Sequence, residues 1–214
     1  MKIYRLKCSN GRKIGHAAEG AFMKNILQWI IAAIFAIPIA LTAADSKPLT
    51  LFSFEKPEDL QSLQVDGGMK ESIKTELSSE NCTAGKNCLK VTFPDDSWAE
   101  VLFVKFNADW SAYNALKIDV FNPAATMVGV LFQGADADAG FAKDAPFGDR
   151  DKRVSSGGTL RPGKNTLVFP LKYDKPFDLK NVKMWSLSNI ARPKGLALYI
   201  DNIRLENVKP EDLE

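Results

Sequence analysis

Histidine is nearly absent from this chain: His16 is the single one in 214 residues. Cysteine is scarce too, with only Cys8, Cys82 and Cys88. His16 and Cys8 both fall within the first 44 residues, so a chain starting at Asp45 has no histidine and two cysteines. Without histidine, serine–histidine and cysteine–histidine nucleophilic catalysis lack their base. Histidine-ligated zinc is excluded for the same reason. Long helical periodicity is also missing beyond residue 45, so a helix-built domain is not expected.

The one long apolar run is Ile26–Leu41. Met23-Lys24 precedes it and the small residues Thr42-Ala43-Ala44 follow. A positive start, an apolar middle and a small-residue end form a secretory signal peptide. The run falls short of the roughly 20 residues of a spanning helix. Pro38 breaks it near its end, where a cleavage site must be extended. We therefore expect a signal peptide at 23–44, cleavage after Ala44 and a single domain at 45–214. Residues 1–22 precede a signal peptide that carries its own Met. Translation from Met23 is expected; the alternative is a cytoplasmic tail on an uncleaved anchor. No cysteine stands at the cleavage point to take a lipid. The expected location is secreted or periplasmic, with no membrane attachment after cleavage.

This division reverses the charge argument. The whole chain carries a formal +2, from 28 basic and 26 acidic residues. Residues 1–44 hold six basic residues and one acidic residue; removing them leaves 22 and 25, a formal −3. The remaining chain has no basic stripe, so nucleic acid is not an expected partner. Export also bears on Cys82 and Cys88. Two nearby cysteines in an oxidising compartment are expected to form a disulfide.

What is plentiful is period-two alternation. Leu89, Val91 and Phe93 alternate with Lys90 and Thr92, and Leu116, Ile118 and Val120 with Lys117 and Asp119. Val128–Phe132, Leu167–Leu171, Val182–Leu187 and Leu196–Leu205 behave alike, joined by the apolar runs Leu49–Phe54 and Val101–Phe106. These are strand signals. Phe121-Asn-Pro123, Gly67-Gly68 and Arg161-Pro-Gly-Lys-Asn165 mark turns between them. The spacing predicts eight to nine strands in an all-β, two-sheet antiparallel β-sandwich or jelly roll. Residues Gln133–Gly158 read as one long polar connection, and loops of that length are functional or mobile.

Several segments together resemble a known family. They are Phe52-Ser-Phe-Glu55, Thr83-Ala-Gly-Lys-Asn-Cys-Leu-Lys-Val-Thr-Phe93 and Asp109-Trp-Ser-Ala-Tyr-Asn-Ala-Leu-Lys-Ile-Asp-Val-Phe-Asn-Pro123. With them go Thr159-Leu-Arg-Pro-Gly-Lys-Asn-Thr-Leu-Val-Phe-Pro-Leu171 and Leu198-Tyr-Ile-Asp-Asn-Ile-Arg-Leu205. In order and spacing they are similar to the galactose-binding-like jelly rolls of carbohydrate-binding modules attached to bacterial glycoside hydrolases. The resemblance implies a non-catalytic module whose partner is an extracellular polysaccharide or glycan. It also implies a structural calcium ion held by an acid of the first strand and one of the last, here Glu55 and Asp201. Hard oxygen ligands suit that ion.

Sugar recognition uses an aromatic face plus polar groups for the hydroxyls. Trp98 and Trp185 are candidates for that face, although such a residue is more often core than ligand platform. Trp110 and Tyr113 belong to the structural signature and are expected to pack. Phe141 and Phe147, with Arg150 and Arg153, could form a binding lip in the long connection. Asp136-Ala-Asp138-Ala-Gly140 lacks the later acid of an EF-hand loop. The pairs Asp136/Asp138 and Asp149/Asp151 could run glycoside hydrolysis only if held across a cleft with one pKa raised. A structural or protein-interaction domain of the cell envelope is the alternative to glycan binding.

Overall fold

In a computed structural model, the described residues are 46–66, 73–94, 99–139, 149–174, 176–190 and 195–213. All fall within one compact unit, Ala43–Glu214. Eleven strands are formed among them. These are β1 (Leu49–Phe52), β2 (Leu63–Asp66), β3 (Lys74–Ser78), β4 (Cys88–Thr92), β5 (Glu100–Phe103) and β6 (Ala115–Asn122). β7 (Val128–Asp136), β8 (Val154–Leu160), β9 (Gly163–Pro170), β10 (Val182–Asn189) and β11 (Ala197–Glu206) follow. They make two antiparallel sheets. The first runs β3-β4-β11-β6-β9, with β1 also on β11; the second runs β2-β5-β10-β7-β8. This is the all-β sandwich that the alternation predicts.

The core follows from that alternation. Leu116, Ile118 and Val120 of β6 face Val130 and Phe132 of β7 within one buried cluster. Burying side chains of this size contributes ~1.5–3 kcal/mol each. Trp110 and Tyr113 pack against the same cluster, as the sequence signature implies. The Trp110 indole donates to the Asn107 carbonyl at 2.8 Å, so its polar atom is satisfied.

β11 is where the alternation breaks. Leu198 and Ile200 point inward, and so do Ile203 and Leu205. The phase change is a bulge: the register with β6 shifts between Asp201 and Arg204, and Asn202 takes φ 45. Asparagine tolerates this left-handed region better than most residues. The same bulge divides the edge of β11, with β4 pairing at 197–200 and β1 at 203–205.

The long connection is shorter than its sequence indicates. Gln133–Asp136 extend β7, and Val154–Gly158 belong to β8. β8 reads Val-Ser-Ser-Gly-Gly-Thr-Leu and lacks the β-branched apolar alternation that marks other strands. Packing explains one of its glycines. A Cβ at Gly158 would lie 2.9 Å from Leu167 and 3.5 Å from Val130, where the sheets close together.

The two outer faces differ. On the first sheet, Arg204 pairs with Asp119 at 3.0 Å and Lys117 with Glu206 at 3.2 Å. Part-exposed pairs of this kind contribute ~0–1 kcal/mol each. The second sheet buries part of its outer face. Leu102, Ala135, Met184 and Ala139 form a separate apolar cluster there, with Ala139 supplied by the short turn after β7.

Candidate functional site

Of the residues proposed for binding from sequence, Trp98, Phe141 and Phe147 lie outside the described residues. Arg150 stands in a short turn of 3-10 helix before β8, and its side chain also lies outside the described residues. Trp185 is described, and it is not a surface platform. It is fully buried, stacked on Phe103 at 3.7 Å and 2° and tilted against Phe132 at 6.0 Å. It keeps phase with Leu187, two residues on, which is also in the core. A register shift between Val182 and Met184 changes the phase upstream, so Val182 faces the core as well, with Met184 outward.

The loop carboxylates are turn-makers. Asp136 is buried and accepts from the amides of Asp138 at 2.9 Å and Asp178 at 2.6 Å. Asp149 accepts from the Asp151 amide at 3.0 Å. Such Asx turns fix backbone geometry. Asp138, Asp149 and Asp151 are exposed. The buried acid of this region is Glu100 instead. Arg153 reaches it with one guanidinium nitrogen at 3.0 and 3.2 Å, and the Ser186 hydroxyl donates to it at 2.6 Å. Arg153 thus lies against the sheet rather than in an exposed lip.

Glu55 and Asp201 both converge on the loop between β3 and β4. Asp201 Oδ2 accepts from the Thr83 amide (3.0 Å), the Thr83 hydroxyl (3.2 Å) and the Ala84 amide (2.7 Å). Its Oδ1 accepts from the Asn202 amide at 2.7 Å. Burial pushes this carboxyl above its ordinary pKa, against the pull of those donors. Glu55 Oε1 accepts from the amides of Lys86 (2.8 Å) and Asn87 (3.0 Å), which hold it below the usual carboxylate range. The donors aimed at these oxygens are N–H and O–H groups, and a calcium ion needs oxygens aimed at itself. The pair as arranged does not fit the ion that the resemblance implies.

Cys82 lies in the same loop and Cys88 opens β4, with their sulfurs 2.8 Å apart. Burial pushes the Cys88 thiol up. Exported chain is expected to be oxidised at this pair. Intact-mass measurement should find it two hydrogens lighter than reduced chain and closed to alkylation. A disulfide spanning so short a loop is worth about 2 kcal/mol, which reduction should remove. Full alkylation of freshly isolated exported chain would contradict the expectation.

One cleft combines polar and aromatic groups. It lies at the seam of the sandwich, between the edge strand β8 and the segment leaving β9, with a volume of about 410 Å³. Val154, Ser155 and Ser156 line one side; Pro170, Lys172, Tyr173 and Asp174 line the other. Tyr173 sits edge-on to Phe177 at 5.3 Å, and Phe177 packs against the core. The Tyr173 hydroxyl is buried with no partner among the described residues, and burial pushes its pKa up. A buried hydroxyl left unpaired calls for a partner such as a ligand or water. Sequence reading missed this site because Lys172-Tyr-Asp-Lys-Pro176 looks like a turn. An aromatic residue inside a segment bounded by Pro170 and Pro176 was the available signal.

No family model matches the chain, and no curated protein matches it. Solved structures do. A family 11 carbohydrate-binding module from Clostridium thermocellum, in complex with a beta-1,3-1,4-mixed-linked tetrasaccharide, matches at TM-score 0.56 and 15% identity. The match covers 75% of this chain and 96% of that one. The chain has the fold of these modules. The family 30 module of a Clostridium thermocellum cellulosomal cellulase agrees, at TM-score 0.54 and 12% identity over 76% of this chain and 98% of that one. An exo-beta-agarase matches at TM-score 0.58 and 14% identity over 75% of this chain, but only 25% of its own length is covered. The module fold is thus shared with carbohydrate-binding modules and with one part of a larger enzyme. Identities this low establish the fold and leave the ligand to the site's own chemistry.

Proposed function

We propose that this chain is an exported, non-catalytic module that binds a glycan in the seam cleft. The observation that carries this reading is the cleft itself. It pairs a Tyr173 ring and the apolar edge of Pro170 with two serine hydroxyls, an ammonium and a carboxylate. Sugars present apolar C–H faces and many hydroxyls, so they need this combination. A volume of about 410 Å³ suits one or two sugar rings. Trp98, Phe141, Phe147 and Arg150 belong to the same proposal as ligand contacts. The non-enzymatic part is supported by Asp136 and Asp149, whose carboxylates accept turn amides.

Affinity electrophoresis through soluble polysaccharides tests the reading, starting with mixed-linked beta-1,3-1,4-glucan. Retention is expected. Tyr173→Ala should weaken it about tenfold or more, the equivalent of ~1.4 kcal/mol of lost stacking and hydrogen bonding. Retention by no polysaccharide, or a Tyr173→Ala chain that binds like the parent, would sink it. The second reading, an envelope interaction domain, then gains ground. Met127 and Ile190 favour it, being exposed at 66% and 53% close to where β7 begins. The Ile190 amide bonds the Gly129 carbonyl at 2.8 Å, which keeps both residues at one end of the second sheet.

A further inference from the structure

The loop between β3 and β4 is placed where the first and last strands meet. Its fastening is visible atom by atom. Four donors converge on Asp201: three on Oδ2 and one on Oδ1. Two amides converge on Glu55 Oε1. Gly85, at φ +58, has no side chain because the Glu55 carboxylate fills the space. A Cβ there would lie 2.0 Å from Oε1. Among the described residues, no group of three or more His, Cys, Asp or Glu gathers as a metal site.

We infer that this loop is a metal-independent clamp, in which backbone amides take the two carboxylates directly where the resemblance implies a calcium ion. Successive amides in a tight loop form a concave anion receptor, and here the anions are supplied by the chain's own β1 end and β11 bulge. Calcium takes six to eight oxygens at about 2.3–2.6 Å. To admit it, the loop must turn several N–H groups away and carbonyls inward, giving up the bonds just described. The clamp joins three segments far apart in sequence: residue 55, residues 83–87 and residue 201. It therefore ties the two ends of the domain together without a cofactor. The sulfurs of Cys82 and Cys88 lie 2.8 Å apart on the same segment.

The test uses the purified chain with calcium alone as the probe. Thermal melting in excess chelator and in millimolar calcium should give midpoints within about 1 °C of one another, since a ligand that binds only the folded state raises the midpoint by mass action. Equilibrium dialysis should find no saturable calcium uptake. Asp201→Ala leaves four donors unpaired and should lower the midpoint by about 3–6 °C, equally with and without calcium. A saturable calcium-dependent rise of more than about 5 °C in the parent chain would overturn the inference. So would an Asp201→Ala chain that melts like the parent. If Asp201→Ala fails to fold, the parent titration decides alone.

Discussion

Trp185→Ala should destabilise the domain by about 3–5 kcal/mol while leaving the chemistry of the seam cleft in place. The indole is fully buried and lies flat on Phe103, with Phe132 against its side. Removing it opens a cavity between the sheets that rigid strands cannot collapse to fill. Urea unfolding measures the cost as a fall in midpoint at nearly constant slope. Had Trp185 been a sugar platform, the change would cost binding and spare stability. Trp185→Phe separates the two terms. It keeps a ring on Phe103 and removes a buried indole N–H that has no partner among the described residues. Its cost should be well below that of Trp185→Ala, because loss of volume is partly offset by loss of an unpaired donor.

The second large effect concerns Arg153. Arg153→Ala should cost about 3–5 kcal/mol, because it removes the guanidinium that pairs with the buried Glu100 carboxylate. Both side chains are nearly inaccessible, at 0% and 4%, so water cannot replace the guanidinium. The double change Arg153→Met with Glu100→Leu should recover most of the loss, since it removes both charges and extends the apolar cluster of Leu102, Ala135 and Met184. A double-mutant cycle by urea unfolding measures this coupling directly. Additive single effects would show that the pair does not hold the connection to the sheet.

Sequence carried the fold further than the site. Along β6 and the first part of β7 buried positions alternate with more exposed ones, and that asymmetry writes itself as period two. Three strands escaped. β2 is short, β3 reads Lys-Thr-Glu-Leu-Ser, and β8 is built of serine and glycine. All three lie at sheet edges, where fewer neighbours demand apolar side chains. The two bulges were equally silent. Each shifts the phase of its strand by one residue, so that Val182 and Trp185 both face the core, as do Ile200 and Ile203. A phase error at one residue exchanges inside for outside, so faces assigned beyond a bulge invert.

Glu55 and Asp201 were legible as partners, since both do meet one loop. Their role was not, because a carboxylate that accepts amides and one that binds a cation have the same sequence. The direction of the surrounding N–H groups decides between them, and that is a property of the loop's turns. Ser155 and Ser156 come from β8 and Lys172, Tyr173 and Asp174 from the segment leaving β9. Their proximity is tertiary and has no trace in spacing along the chain.

The measurement that bears most directly on glycan binding at the seam is an amide chemical-shift titration of the purified chain with a mixed-linked beta-glucan oligosaccharide. The account predicts saturable shifts centred on Ser155, Ser156, Lys172, Tyr173 and Asp174, abolished in Tyr173→Ala. Saturable shifts centred elsewhere, or none with any oligosaccharide, would contradict it.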